Sequence, residues 1–235
     1  MCSTLASTAS YPVTDTRDGQ VYTVRYINGN CWMTQNLRLG YNSSNPNTTT
    51  ISLTPQDSNV TQNRSITAYD LVTYGTSGKE CYGTYDSTSG TGSGAGYTNS
   101  CVHSGTIAAA NTYAGVAQNT VWYNYAAATV GTITGTSNTT EATESVCPKG
   151  WTLPNTTQTD SIGGGSYVVN FLPVLGGSYI NGTLQHESTA GRWWGLEAIN
   201  IAQRYRLKYD GSNLSKGGGN YVRYAGLYIR CVQAS

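Results

Sequence analysis

The chain has 235 residues, of which only 11% are charged, and a formal net charge of +1. It therefore lacks the clustered Lys and Arg that nucleic acid or an anionic membrane surface requires of a partner. No apolar run approaches the ~20 residues of a spanning helix, so direct membrane insertion is not expected either.

Nineteen Tyr stand against a single Phe, among many Gly, Ser, Thr and Asn. That mixture reads as a β-rich extracellular protein with long polar loops, secreted or displayed at the cell surface. The opening MCSTLASTAS has neither a basic n-region nor an apolar core, so the export signal is taken to have been removed. Six cysteines, Cys2, Cys31, Cys81, Cys101, Cys147 and Cys231, are widely spaced with no CxxC pair, which fits three disulfides. Spacing leaves the connectivity open; the pairing expected here is Cys2 with Cys31, Cys81 with Cys101, and Cys147 with Cys231.

In chain order, residues 1–14 read as an N-terminal arm and 15–235 as one domain. Asp18-Gly19 marks a turn, Val21 to Ile27 a strand, and Asn28-Gly29 the tight turn of a hairpin returning through Cys31, Trp32 and Met33. A loop-rich insertion follows around 40–105. Residues 40–65 are dominated by Asn, Ser and Thr and read as a surface excursion, 66–78 as holding a helical turn, and 81–101 as a Gly/Ser-rich loop closed by two cysteines. Residues 107–128 are the best helix candidate, despite Gly115. In CPKGWTLPN a short strand precedes Pro154, and Asn155 or Thr156 then caps a helix through TTQTDSI. YVVNFLPVLGGSYINGTL reads as a buried turn followed by a hairpin. The N-x-S/T sequons at Asn42, Asn47, Asn59, Asn63, Asn138, Asn155, Asn181 and Asn213 arise readily in so Asn- and Thr-rich a chain, and carry no weight.

The C-terminal block, residues 191–230, mixes two kinds of position. Tyr205, Leu207, Tyr209, Leu227 and Ile229 alternate as in half-buried strands, while Ile199, Ile201, Gly217 to Asn220, Val222 and Ala225 follow no hydrophobic pattern. Tyr, Trp, Arg, Gly, Ser and Asn are the residues that recognition surfaces use. The other reading of the same block is an ordinary antiparallel sheet packed through Tyr, with glycine in its turns.

Catalytic apparatus is not visible. His103 and His186 have no partner at metal-ligand spacing, and HExxH, GxSxG and P-loop patterns are absent, so neither a metal nor a cofactor is expected. Glu80 with Asp86, and Glu187 with Glu197, are the carboxylate pairs to test for glycoside hydrolysis, but twelve acids in a chain of this length always offer pairs. An enzyme is not expected.

Five blocks, DTRDGQVYTV, GNCWMTQNLRL, CPKGWTLPN, GRWWG and LYIRCV, occur in an order that resembles the Fibrobacter succinogenes major paralogous domain family, over roughly residue 15 to the end. The resemblance implies an α+β domain of C-type-lectin-like fold, mostly antiparallel β with few short helices, long irregular loops and its termini brought together. Formylglycine-generating enzymes and the variable proteins of diversity-generating retroelements share that fold. In the variable proteins, A-A-pyrimidine codons near the 3′ end are mutated at adenine, which never yields Lys, Glu, Gln, Trp or Met. Ile199, Asn200, Ile201, Arg206, Gly217, Gly218, Gly219, Asn220, Val222, Ala225 and Leu227 are all permitted outcomes, and are the implied ligand contacts. Trp193, Trp194, Tyr209, Tyr228 and Arg230, at aromatic and alternating positions, are the expected scaffold, and Glu197, Gln203, Lys208 and Lys216, which such mutation cannot yield, must be invariant scaffold or count against a variable region. The implied ligand is a protein or glycan; the alternative is a structural or adhesive subunit of a cell envelope with no variable site. Leu153-Pro154-Asn155 lacks the acid of a calcium-dependent sugar site, and Cys231 alone does not make a formylglycine-generating centre.

Overall fold

A computed structural model describes residues 9–39, 50–67, 102–107, 118–130, 141–163, 165–180, 183–198, 203–216, 221–222 and 225–234. It is built mostly from antiparallel strands, with a few short helices.

The N-terminal hairpin forms as its sequence predicts. Strands β1 (Ser10–Thr14), β2 (Val21–Ile27) and β3 (Asn30–Met33) pair in sequence order. Asn28 and Gly29 both take positive φ, 43° and 86°, the left-handed pair that a two-residue hairpin requires. Because Ser10–Thr14 pairs along its whole length with β2, the described part of the expected arm belongs to the sheet. The fourth strand of this sheet comes from the other end of the chain, where Val232–Ala234 lies antiparallel to β3.

The excursion at 40–65 is anchored where it is described. Thr50–Leu53 (β4) and Arg64–Thr67 (β5) form a hairpin, and Leu53, Val60 and Ile66 are buried in the core. A buried carboxylate ties it down: Glu144 accepts from the Thr61 amide at 2.9 Å, from the Thr61 hydroxyl, and from Arg64 Nε at 2.8 Å. Burial works to raise the Glu144 pKa, but the bonds from Arg64 and Thr61 outweigh it and hold the carboxyl below the ordinary Glu range. A group whose folded pKa is depressed stabilises the fold above the unfolded value and loses that contribution as pH falls through the folded one. Glu144→Gln is therefore expected to cost about 1–3 kcal/mol at neutral pH. It will also flatten the acid limb of a melting-temperature profile, which thermal scans of both proteins across the acid range will read.

The helix expected over 107–128 is corrected where that segment is described, at 107 and 118–123. Val102–Ile107 (β6) and Gln118–Tyr123 (β7) pair antiparallel and Tyr125–Ala128 (α1) is helical, while residues 108–117 lie outside the described residues. Thr120, Val121, Trp122 and Tyr123 are β-branched or aromatic and favour strand over helix. Asn124 then caps the short helix, accepting from the Ala127 amide at 2.9 Å. The described parts of 66–78 are the end of β5; the remainder of that segment, and the whole of 81–101, lie outside the described residues.

Further on, Asn155 caps Thr156–Ser161 (α2) in a reciprocal box with Gln158. The next stretch is corrected too: Gly165–Phe171 (α3) is a helix, not a buried turn. Val168 and Phe171, three apart, face the core together, with Phe171 edge-on to Trp32 and Trp193 at 5.7 and 5.3 Å. The hairpin expected after it is present as Gly176–Ile180 (β8) and Thr183–Glu187 (β9).

The second sheet holds most of the C-terminal block. Gly191–Ala198 (β10) and Gln203–Tyr209 (β11) are antiparallel, and Leu214–Lys216 (β12) and Tyr221–Val222 (β13) run along the outer side of β11. Beyond β10 lie β8, in a short parallel contact, and then β9. The close approach at the start of β10 needs Gly191, since a Cβ there would overlap the Val174 carbonyl oxygen and the Trp193 ring.

Among the described residues two hydrophobic clusters make up the core, and β10 contributes to both. Successive strand residues point to opposite faces, so Trp193 packs in one cluster with Trp32 and Phe171, and Trp194 in the other with Leu37 and Tyr123. The run from Ala225 to Val232 (with Val232–Ala234 forming β14) alternates in the same way: Leu227, Ile229 and Cys231 enter one cluster, Tyr228 and Val232 the other. Leu227 and Ile229 thus belong to a segment buried on both faces rather than a half-buried strand. It is held by single bridges to Tyr123, Tyr179, Trp193 and Thr152.

Cys147 and Cys231 are joined by a disulfide, as paired from the sequence, with Cα atoms 5.8 Å apart. Cys31 is also disulfide-bonded, and its partner lies outside the described residues. The other expected pairing, Cys81 with Cys101, lies outside them as well.

Candidate functional site

The C-terminal block brings its strand ends together at one edge of the second sheet. Ala198 pairs with Arg204, Arg204 with Tyr221, and Gln203 with Val222, so the described ends that bracket 199–202 and 223–224 occupy neighbouring rungs. On the outer side of β11, Lys216 pairs with Leu207 and Tyr221 with Arg204, so the segment 217–220 is bracketed by positions on that same strand. Arg206 lies between them in register, opposite Trp194.

Of the expected contacts, Ile199, Asn200, Ile201, Gly217, Gly218, Gly219 and Asn220 lie outside the described residues, while Arg206 and Val222 are placed by backbone pairing. Ala225 and Leu227 are corrected. Both are 0% exposed, and Leu227 exchanges backbone hydrogen bonds with Tyr123 at 2.8 and 2.9 Å, so neither is open to a ligand. They are small or apolar residues in a doubly buried segment, and codon permission says nothing about burial.

The five expected scaffold residues are all buried. Trp194 donates from its indole to the Tyr123 carbonyl at 2.7 Å, and Tyr125 packs edge-on against it at 5.3 Å while its hydroxyl donates to the Leu196 carbonyl at 2.6 Å. Trp193 donates to Asn36 Oδ1 at 2.8 Å. The same oxygen accepts from Arg230 Nε at 3.0 Å; Arg230 also donates to the carbonyls of Phe171 and, at 2.9 Å, Leu172. The guanidinium lies over the rings of Phe171 and Trp193 at 4.3 and 5.0 Å. Burial pushes its pKa down to about 9, which leaves it charged at neutral pH. Leu172, whose carbonyl it holds, has φ of 50°, so this arginine fixes a left-handed turn that a leucine does not favour.

A polar cluster that the sequence reading did not single out lies beneath the block. Arg192 Nη1 donates to the hydroxyls of Ser178 and Tyr221, both at 2.8 Å, and those two hydroxyls share a bond of 2.6 Å. The guanidinium lies over the Tyr221 ring at 4.9 Å, and Tyr221 also packs against Trp194 at 6.4 Å. Burial lowers the Arg192 pKa, partly offset by Tyr221. The only hint in the sequence was position: Arg192 stands inside GRWWG, and Tyr221 is a bulky ring set among residues that follow no hydrophobic pattern.

Glu197 is buried and accepts from the Thr156 amide and hydroxyl, both at 2.6 Å. The residue bridged to it across the backbone is Glu141, not Glu187, which lies exposed on β9. Desolvation and the Glu197 charge raise the Glu141 pKa. Among the described residues no group of three or more His, Cys, Asp and Glu could hold a metal ion. No described helix is long and apolar enough to cross a membrane. Compared with known proteins, the chain matches no family model, no curated protein and no solved structure.

Proposed function

We propose that the chain is an exported, non-catalytic ligand-binding domain of C-type-lectin-like fold, whose recognition face is made by the C-terminal block at the Ala198, Arg204 and Tyr221 edge of the second sheet. The observation that carries this reading is the interleaving of anchors with patternless residues. Tyr221, Ala225 and Leu227 are buried in the core, and Tyr221 is tied to Arg192 and Ser178. The residues between such anchors are held at fixed roots whatever their identity, which limits the entropy lost on binding. Pairing of the C-terminal strand with the N-terminal hairpin, a mostly antiparallel architecture and few short helices support the fold assignment. Export is supported by the disulfides, which persist in oxidising compartments. The ligand on this reading is a macromolecule, protein or glycan, and binding involves neither cofactor nor metal. Variation at the face, by retroelement mutation of its adenine-rich codons, is part of the proposal.

Alanine substitution separates root from display. Trp194→Ala is expected to cost about 3–5 kcal/mol, the range for truncating a buried Trp. Val222→Ala is expected to leave the melting temperature nearly unchanged. Circular-dichroism melts of the two variants decide it, and a Val222→Ala protein that unfolds with Trp194→Ala would overturn the placement of the face.

A further inference from the structure

A second site lies apart from the C-terminal block. Where β1 leaves the first sheet, a cleft of about 180 Å³ opens between the end of that strand, the turn at Gln56 and Asp57, and the Pro148 to Trp151 loop. Its floor is apolar and buried, made by Tyr22, Met33 and Trp151. Its rim is polar, with Gln56 and Lys149 exposed and Asp57 half-buried.

The walls are fixed before any ligand arrives. Asp15 takes a two-point contact from Arg17, Nε at 2.8 Å and Nη2 at 2.6 Å, and Arg17 Nη1 reaches across to the Val146 carbonyl at 2.7 Å and the Ser58 hydroxyl at 3.2 Å. The Lys149 amide donates to the Asp57 carbonyl at 2.9 Å, and the loop is rooted by the disulfide at Cys147. Asp57 is held in place by the Thr54 amide at 3.0 Å and the Ser58 hydroxyl at 2.6 Å, both on Oδ1. Burial works against its charge, but those bonds prevail and keep the carboxyl below the ordinary Asp range. Among the described residues, no carboxylate lies within ion-pairing distance of the Lys149 ammonium.

The cleft thus presents a fixed negative charge and a free positive one on a single rim, too far apart to pair, above an apolar floor. At about 180 Å³ it is smaller than the ~300–1,000 Å³ of a drug-sized ligand pocket, too little for a folded partner or an extended peptide. We propose that it binds one small zwitterion with an apolar side chain, a free α-amino acid such as leucine. The ligand's ammonium faces Asp57 Oδ2, its carboxylate faces Lys149, and its side chain lies on Trp151 and Met33. A neutral sugar would find hydrogen-bond partners on the same rim, but would leave both charges unneutralised.

Calorimetric titration with L-leucine tests this, with L-leucinamide, N-acetyl-L-leucine and a methyl glucoside as probes lacking one charge or both. Because Asp57 also holds the turn at residues 54–58, the variant that carries the test is Lys149→Gln, whose side chain is exposed. The expected result is millimolar or tighter binding of leucine, weakened about tenfold or more by loss of either ligand charge and by Lys149→Gln at unchanged melting temperature. Absence of leucine binding at millimolar concentration, equal binding of the amide or acetyl analogue, or preference for the glucoside would overturn it.

Discussion

Replacing Cys147 and Cys231 together by alanine is expected to lower the stability of the domain by about 4–5 kcal/mol, measured by denaturant unfolding. The bond closes a loop of 84 residues, for which the chain-entropy cost removed from the unfolded state is about 4.5 kcal/mol. Both sulfurs are fully buried and lie in the cluster that holds Trp194, so lost packing adds to the entropic term. Against the ~5–15 kcal/mol that a typical domain has in total, such a loss brings this one to the edge of unfolding at body temperature. A double-alanine protein with an unchanged unfolding midpoint would mean that the loop from 147 to 231 is held by its strands alone.

Arg230→Ala is expected to cost about 3–5 kcal/mol, as loss of a buried hydrogen-bonded charge does. The cost has two sources. The Phe171 and Leu172 carbonyls and Asn36 Oδ1 each lose a donor, and the space between the Phe171 and Trp193 rings empties. Arg230→Met, which refills the space without the donors, should recover only part of the loss. If methionine restored full stability, the packing of the two rings and not the carbonyl contacts would be what Arg230 provides. Chemical denaturation of the three proteins separates these outcomes.

Local signals were legible wherever a short segment specifies its own conformation. Asn28-Gly29 defines its hairpin through two left-handed residues, and Asn155 with Gln158 defines the start of α2, since both rest on contacts within a few residues. The readings that failed depended on what the segment packs against. Alanines flanking an aromatic strand made 118–123 look like part of a helix, yet Trp122 and Tyr123 are strand residues of the core. Ala225 and Leu227 looked available because one is small and the other sits in an alternating run, but that run lies between two clusters and is buried on both faces.

The candidate site was legible in its anchors and less so in its support. Trp193, Trp194, Tyr209, Tyr228 and Arg230 are bulky residues in motif-like blocks, which is why burial could be expected of them. Arg192 could not be told from an exposed arginine, because its partners Ser178 and Tyr221 are 14 and 29 residues away. A hydrogen-bonded cluster of that kind leaves no period in a sequence. The same holds for Glu197, whose neighbour in the fold is Glu141 rather than the acid nearest in the chain.

Whether this frame holds a face free to vary is read by sequencing the 3′ end of the gene across its source population. A variable face requires substitutions confined to adenines of a template repeat, at the codons for residues 199–201, 206, 217–220 and 222. The codons for Arg192, Trp193, Trp194, Tyr221, Ala225, Leu227 and Arg230 should stay unchanged, because their side chains are buried. Variation spread evenly over the block, or no variation at all, would contradict it and leave a fixed surface suited to a single partner.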